Sequence, residues 1–247
     1  MMFCNNGAQK MLQNVIVKPQ AVQQKLAFNT PETDELFPGF TLGEFALIHG
    51  SSSVTSLTAL LCIRAQLPTQ LGGLESNSIY IDCTNTFTQN SITRLAQINH
   101  LNPITARRRI INFAAFTAYQ LASLIIDKLE EKVKAYNAKL VVISDITSLF
   151  LNSTIPREEA QKVYGQIIDY LSNFAKKNQI IVLATHSNHE NNTKNTALKE
   201  MTQRKANTVL SYYKTTYTAE LNLEKHPTYI LGTAEPPSEN LTLENFT

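Results

Sequence analysis

The chain has 247 residues, 43% hydrophobic and 17% charged, with 22 basic and 20 acidic side chains and a net charge of +2. That size and mixture suit one large globular domain with a full core and exclude a wholly disordered chain. The near-balance of charge excludes a uniformly basic surface, so any nucleic-acid contact must come from local clustering.

In chain order, residues 1–27 are too few for a domain and read as an N-terminal arm or edge strand. The run "EFALIH" (44–49) reads as a buried strand, and "GSSSVTS" (50–56) as a turn before a helix over 55–66. Strand, polar turn and helix are the layout of a P-loop, whose rule is G-x-x-x-x-G-K-[ST]. Counted from Gly50, Ser56 holds the lysine position and Leu57 that of the magnesium-binding hydroxyl. Counted from the helix with two residues deleted, Val54 and Thr55 stand at the Lys-Thr pair, which restores a hydroxyl but no charge. No lysine occurs between Lys25 and Lys128, so no gap placement supplies one. The alternative is a plain polar turn capped by Ser53 or Thr55, with weak anion attraction left to the helix N-terminus.

Further strands are expected at "SIYIDC" (78–83), "RIINFAAF" (109–116), "LVVISD" (140–145) and "IIVLAT" (180–185), with helices at 89–98, 118–136 and 157–177. Alternating strand and helix predicts a doubly wound α/β sheet, mainly parallel and flanked by helices. Alternation over 209–231 predicts an antiparallel C-terminal extension, and residues 233–247 read as a mobile polar tail. The core domain is placed at 28–232. Asp82, at a strand end, is a metal ligand or the cap of the next turn. Asp145 follows Ser144 on its strand, and alternation turns it away from the site.

The cysteines Cys4, Cys62 and Cys83 are odd in number and too far apart for metal-ligand spacing, so reduced core thiols are expected. His186 and His189 lack Cys or carboxylate partners at metal spacing. No apolar run reaches the roughly 18 residues of a membrane span and no signal-peptide pattern opens the chain. A cytoplasmic location, or a nuclear one in a eukaryote, is expected, and the sequons at Asn152, Asn192 and Asn240 read as chance.

Six stretches, in order over residues 28 to 232, resemble the ATPase core of the RecA/RadA recombinases: "TPETDELFPGFTLGEFALIHG" (30–50), "SIYIDCTNTF" (78–87), "RIINFAAFTAYQLASLI" (109–125), "LVVISDITSLF" (140–150), "LATHS" (183–187) and "LNLEKHP" (221–227). The resemblance implies a RecA-like P-loop core, and no counterpart of the recombinases' N-terminal helical domain is read here. It also implies positions where chemistry should reside. The catalytic glutamate falls on Thr84, the magnesium-associated aspartate on Ser144, and the γ-phosphate-sensing glutamine on Ser187. With the missing lysine, these losses predict a pseudo-ATPase with no catalytic residue, no metal and no bound cofactor beyond residual ATP or magnesium.

The resemblance places DNA-contacting loops at 151–162 and 186–208. The second carries Lys194, Lys199, Arg204 and Lys205, a set suited to weak, sequence-independent phosphate contacts with single-stranded DNA. A solvated surface loop leading into a short helix is the alternative. The first loop offers only Arg157 and Lys162, and the cluster Arg107, Arg108 and Arg109 reads as a solvated patch. The functional expectation is a non-catalytic recombinase paralog, an accessory or mediator in homologous recombination and repair. It would work in a hetero-oligomer with a RadA-type recombinase or another paralog. Two alternatives stay open: an active ATPase completed by a partner's lysine, with Lys128 and later lysines as candidates, and a purely structural subunit.

Overall fold

A computed structural model describes residues 24–87, 89–151, 155–187, 192–215 and 217–236. Most of the expected arm and tail, Cys4, His189 and the sequons at Asn152 and Asn240 therefore lie outside the described residues. So do 152–154 and 188–191 in the two candidate loops.

Every apolar run singled out in the sequence is a strand. β1 (Lys25–Leu26), α1 (Pro31–Leu36) and β2 (Phe40–Thr41) lead into β3 (Phe45–Gly50) and α2 (Ser53–Arg64). Then come β4 (Asn77–Asp82), α3 (Gln89–Ile98), α4 (Pro103–Arg108) and β5 (Ile110–Ala114). The expected helix at 118–136 is α5 (Ala118–Ser123) and α6 (Leu129–Tyr136) joined by a π-helical turn, Leu124–Lys128. β6 (Ala138–Ser144), α7 (Arg157–Asn178), β7 (Ile181–Ser187), α8 (Thr193–Lys205), β8 (Thr208–Lys214), β9 (Ala219–Lys225) and β10 (Gly232–Ala234) complete the order.

Eight strands form one sheet in the order β10-β9-β8-β3-β7-β6-β4-β5. From β8 to β5 all neighbours are parallel, whereas β9 and β10 are antiparallel. The architecture is therefore the mainly parallel α/β sheet with an antiparallel C-terminal extension that the patterning predicts. Strand alternation divides the core in two. Ala46, Ile48, Tyr80, Val142 and Leu183 face α2, α3 and α4, while Phe45, Leu47, Ile81, Ile143 and Val182 face α5 to α8.

α7 shows how sequence sets one layer. Its buried positions are Ala160, Tyr164, Ile167, Ile168, Leu171, Phe174 and Ala175, one apolar stripe at helical spacing. Glu158 and Glu159 in its first turn and Lys176 and Lys177 in its last suit the helix dipole. The helix stops where Gln179 turns left-handed, with φ 51°.

The core extends past both expected boundaries. Leu26 is fully buried, and Phe28, Phe37 and Phe40 form edge-on aromatic contacts, with Tyr229 against Phe37. Thr233 and Ala234 pair with β9. Apolar contact, rather than chain position, decides what belongs to the domain.

Candidate functional site

β3 ends at Gly50 and α2 begins at Ser53, so only Ser51 and Ser52 connect them. Gly50 lies flush against β8: with φ +148°, a Cβ there would sit 1.9 Å from the Tyr212 carbonyl oxygen. The next amide, Ser51 N, donates to that same oxygen at 3.2 Å. The amides of Val54 and Thr55 donate to the carbonyls of Ser51 and Ser52, at 3.1 and 3.2 Å. A phosphate cradle needs a loop whose amides point at the ligand. Here two of the amides that open the helix are spent on the turn itself.

The sequence suggests Ser53 or Thr55 as the N-cap. The cap is Ser52, with helical dihedrals and no side-chain cap bond. The short connection leaves no extended residue to aim a hydroxyl back at the helix, so backbone carbonyls serve instead. The Ser51 hydroxyl is buried with no hydrogen-bond partner, and Ser56 is exposed on α2.

The carboxyl ends of β4 and β6 meet on the α2 face. Ser144 Oγ donates to Asp82 Oδ1 at 3.2 Å and accepts from Cys83 N at 3.1 Å. Asp82 Oδ1 also accepts from Thr84 N and Thr86 N, at 3.1 and 3.3 Å, and Oδ2 from Phe87 N at 2.9 Å. Asp82 thus caps the turn after β4. Thr84 hydrogen-bonds Thr86 at 2.8 Å and leans on Asp82 at 3.4 Å. Among the described residues, no group of three or more His, Cys, Asp or Glu side chains is placed to hold a metal ion.

Asp145 leaves that cluster. Its backbone is left-handed, φ 42°, and its amide donates to Thr185 Oγ1 at 2.7 Å. Its carboxylate accepts from Ser187 N at 3.3 Å, and Ser187 is the register partner of Gly50. The structure therefore brings Ser144, Asp82 and Thr84 together, and separately Asp145, Ser187 and Gly50. Ser53, Thr55 and Ser56 belong to α2 and join neither group.

The four basic residues expected on a loop sit on a helix. Lys194, Lys199, Arg204 and Lys205 all belong to α8, which Asn192 caps by accepting from Lys194 N and Asn195 N. Their side chains are largely engaged. Lys194 Nζ donates to the Ile155 carbonyl at 2.9 Å, Lys205 pairs with Asp169 at 2.6 Å, and Arg204 Nε donates to the Glu200 carbonyl at 3.3 Å. Lys199 Nζ reaches inward to His49 Nδ1 at 3.1 Å. The picture of a mobile basic loop is corrected for these residues, because they lie on a regular helix: Lys194 and Lys199 are tied inward, while Arg204 and Lys205 stay exposed on its last turn.

Arg109 is also structural: it donates to Asn77 Oδ1 at 3.0 Å and to the Gln66 carbonyl at 3.4 Å. With Arg107 and Arg108 it marks the amino ends of β4 and β5, away from Gly50 and Ser187. Lys128 is exposed on the π-helical turn, on the α5–α8 side of the sheet.

Sequence reasoning missed a polar cluster beneath α8. His49 and His186 are register partners on β3 and β7. His49 Nε2 lies 2.8 Å from Glu224 Oε2 on β9, and His186 Nε2 lies 2.8 Å from Asn195 Oδ1, which also accepts from Thr147 Oγ1 at 2.9 Å. Burial pushes His186 down to about 4 and also lowers His49. The available signal was that both strands end one residue after a histidine, while α8 offers Asn195 and Lys199 at i, i+4 spacing.

A mostly parallel sheet flanked by helices, with a strand–turn–helix at β3–α2 and polar residues at the carboxyl ends of its strands, is the layout of a doubly wound α/β protein. The sequence model of the Rad51 family matches residues 32–223, and the chain belongs to that family. It is similar to the DNA repair and recombination protein RadA of Aeropyrum pernix, with 32% identity over 150 residues, 59% of this chain and 46% of that one. It is also similar to the protein of the same name from Cenarchaeum symbiosum, 27% identical over 147 residues, 58% of this chain and 35% of that one. The chain spans less than half the length of these curated relatives.

Proposed function

We propose that this chain is a catalytically silent member of the recombinase family, an accessory subunit in recombination and repair rather than an ATP-driven one. The observation that carries the reading is the β3–α2 connection. It is two residues long, its Val54 and Thr55 amides are taken by Ser51 and Ser52, and no lysine lies between Lys25 and Lys128. A P-loop lysine supplies the point charge on the β- and γ-phosphates and the following hydroxyl holds magnesium. The residues present do not fit that ligand. Asp82 is occupied as a cap, Asp145 is turned to the Ser187 amide, and Thr84 is no general base near neutral pH.

What remains is an intact scaffold and its surfaces. The relatives' names support recombination and repair as the setting, and a RadA-type recombinase or another paralog as the partner. Titration of the purified chain with a fluorescent ATP analogue, with and without magnesium, tests the reading. No saturable binding is expected at micromolar concentration. Low-micromolar, magnesium-dependent affinity overturns it. Turnover that arises only on mixing with a RadA-type recombinase instead favours a site completed in trans.

A further inference from the structure

The cluster beneath α8 is built in series. Lys199 Nζ is 3.1 Å from His49 Nδ1, and His49 Nε2 is 2.8 Å from Glu224 Oε2. An ammonium or amine donates, so His49 Nδ1 accepts and its own proton sits on Nε2, aimed at the carboxylate. His49 is only 3% exposed, which fixes its ring between the two partners. A structural ion pair would set Lys199 directly against Glu224. Here an imidazole stands between them, so the lysine meets a base and the base meets its orienting anion. That is the nucleophile–base–orienter order of covalent catalysis, with nitrogen in the nucleophile's place.

The geometry points to Lys199 as an acyl-acceptor site, a lysine that takes an acyl group from small activated thioesters with His49 as general base and Glu224 orienting it. Lys199 is half-buried rather than enclosed. Burial also holds the lysine below its ordinary pKa, which enriches the neutral amine. In the reaction the amine nitrogen attacks the thioester carbonyl carbon, and a C–N bond forms. The proton released by nitrogen passes to His49 Nδ1, and the imidazolium is stabilised by Glu224. Collapse breaks the C–S bond, and the leaving thiolate takes that proton and departs as a thiol. The product is an uncharged amide on α8.

Incubation of the full chain with S-acetyl-N-acetylcysteamine, followed by site-resolved mass spectrometry, tests this. Lys162 and Lys176, exposed on α7, serve as internal references. Lys199 is expected to acetylate at least about tenfold faster than either, a modest share of what a positioned base supplies. His49→Gln should abolish that preference and leave the reference rates unchanged, while Glu224→Gln should reduce it. Acetylation of Lys199 no faster than the references overturns the inference, as does an unchanged preference in His49→Gln. If circular dichroism shows His49→Gln unfolded, Glu224→Gln decides alone. Its side chain is 38% exposed and tolerates the change, and an unaltered Lys199 rate there is equally fatal.

Discussion

The carboxylate of Asp82 accepts from the amides of Thr84, Thr86 and Phe87 and from the hydroxyl of Ser144. Asp82→Ala strands these donors and should destabilise the chain by about 2–4 kcal/mol, whereas Asp82→Asn keeps one acceptor oxygen, loses the one for the Phe87 amide and should cost about 1–2 kcal/mol. Urea unfolding of the two variants measures the difference, and an Asp82→Ala curve matching the parent would refute the capping role. His186 makes a second prediction at this scale. Burial holds its folded value at about 4, below the ordinary histidine value of 6.5, so between these the unfolded chain binds the extra proton and stability falls as pH falls. Between about pH 7 and about pH 5 the parent should lose about 2 kcal/mol more than His186→Asn. Equal losses in parallel urea titrations would show that the buried imidazole does not govern this range. The missing lysine and the residues at Thr84, Ser144 and Ser187 were legible in the sequence. The histidine cluster was not, because it arises from the β3–β7 register and from a helix laid across it.

Among the elements, α8 separates what patterning reveals from what it hides. The buried strands announce themselves by continuous β-rich apolar runs, and α7 by its stripe. α8 buries only Asn195, Leu198 and Thr202 and holds to the sheet by polar side chains, so its sequence reads as a loop. The short β3–α2 connection was likewise invisible, since counting residues does not show where a helix begins. Anchoring of α8 bears on DNA contact. Lys199 is drawn toward His49 and Glu224 and Lys194 toward the Ile155 carbonyl, which leaves Arg204 and Lys205 as the exposed cations of the last turn. Any single-stranded DNA affinity should therefore show a salt slope no steeper than about −1.4, the value for two contacts. Joint replacement of Lys194, Lys199, Arg204 and Lys205 by Ala should flatten it. Fluorescence anisotropy across salt concentrations decides: a slope near −3, or one unchanged by the replacements, places the contact elsewhere.

For the whole molecule, the proposed silence of the β3–α2 turn predicts a fold that nucleotide does not stabilise. Millimolar Mg-ATP should shift the thermal midpoint by less than about 1 °C, because a ligand that does not bind the native state adds no stability. A rise of about 2 °C or more, of the size a kcal/mol produces in a chain this long, would contradict this. The strand order has a consequence in time as well as in space. β3 is complete by residue 50, yet its neighbours β7 and β8 span 181–187 and 208–214. During synthesis, β3 emerges more than a hundred residues before either flanking ladder can form. The β4–β5–β6 half, whose strands pair with one another, can condense first, while the "FALIHG" strand waits with both edges open. Loop-closure entropy must be met before those two ladders contribute, a cost set by the sequence separation of β3 from β7 and β8. The nascent chain is thus most exposed to wrong pairing at the strand that later lies near the middle of its sheet.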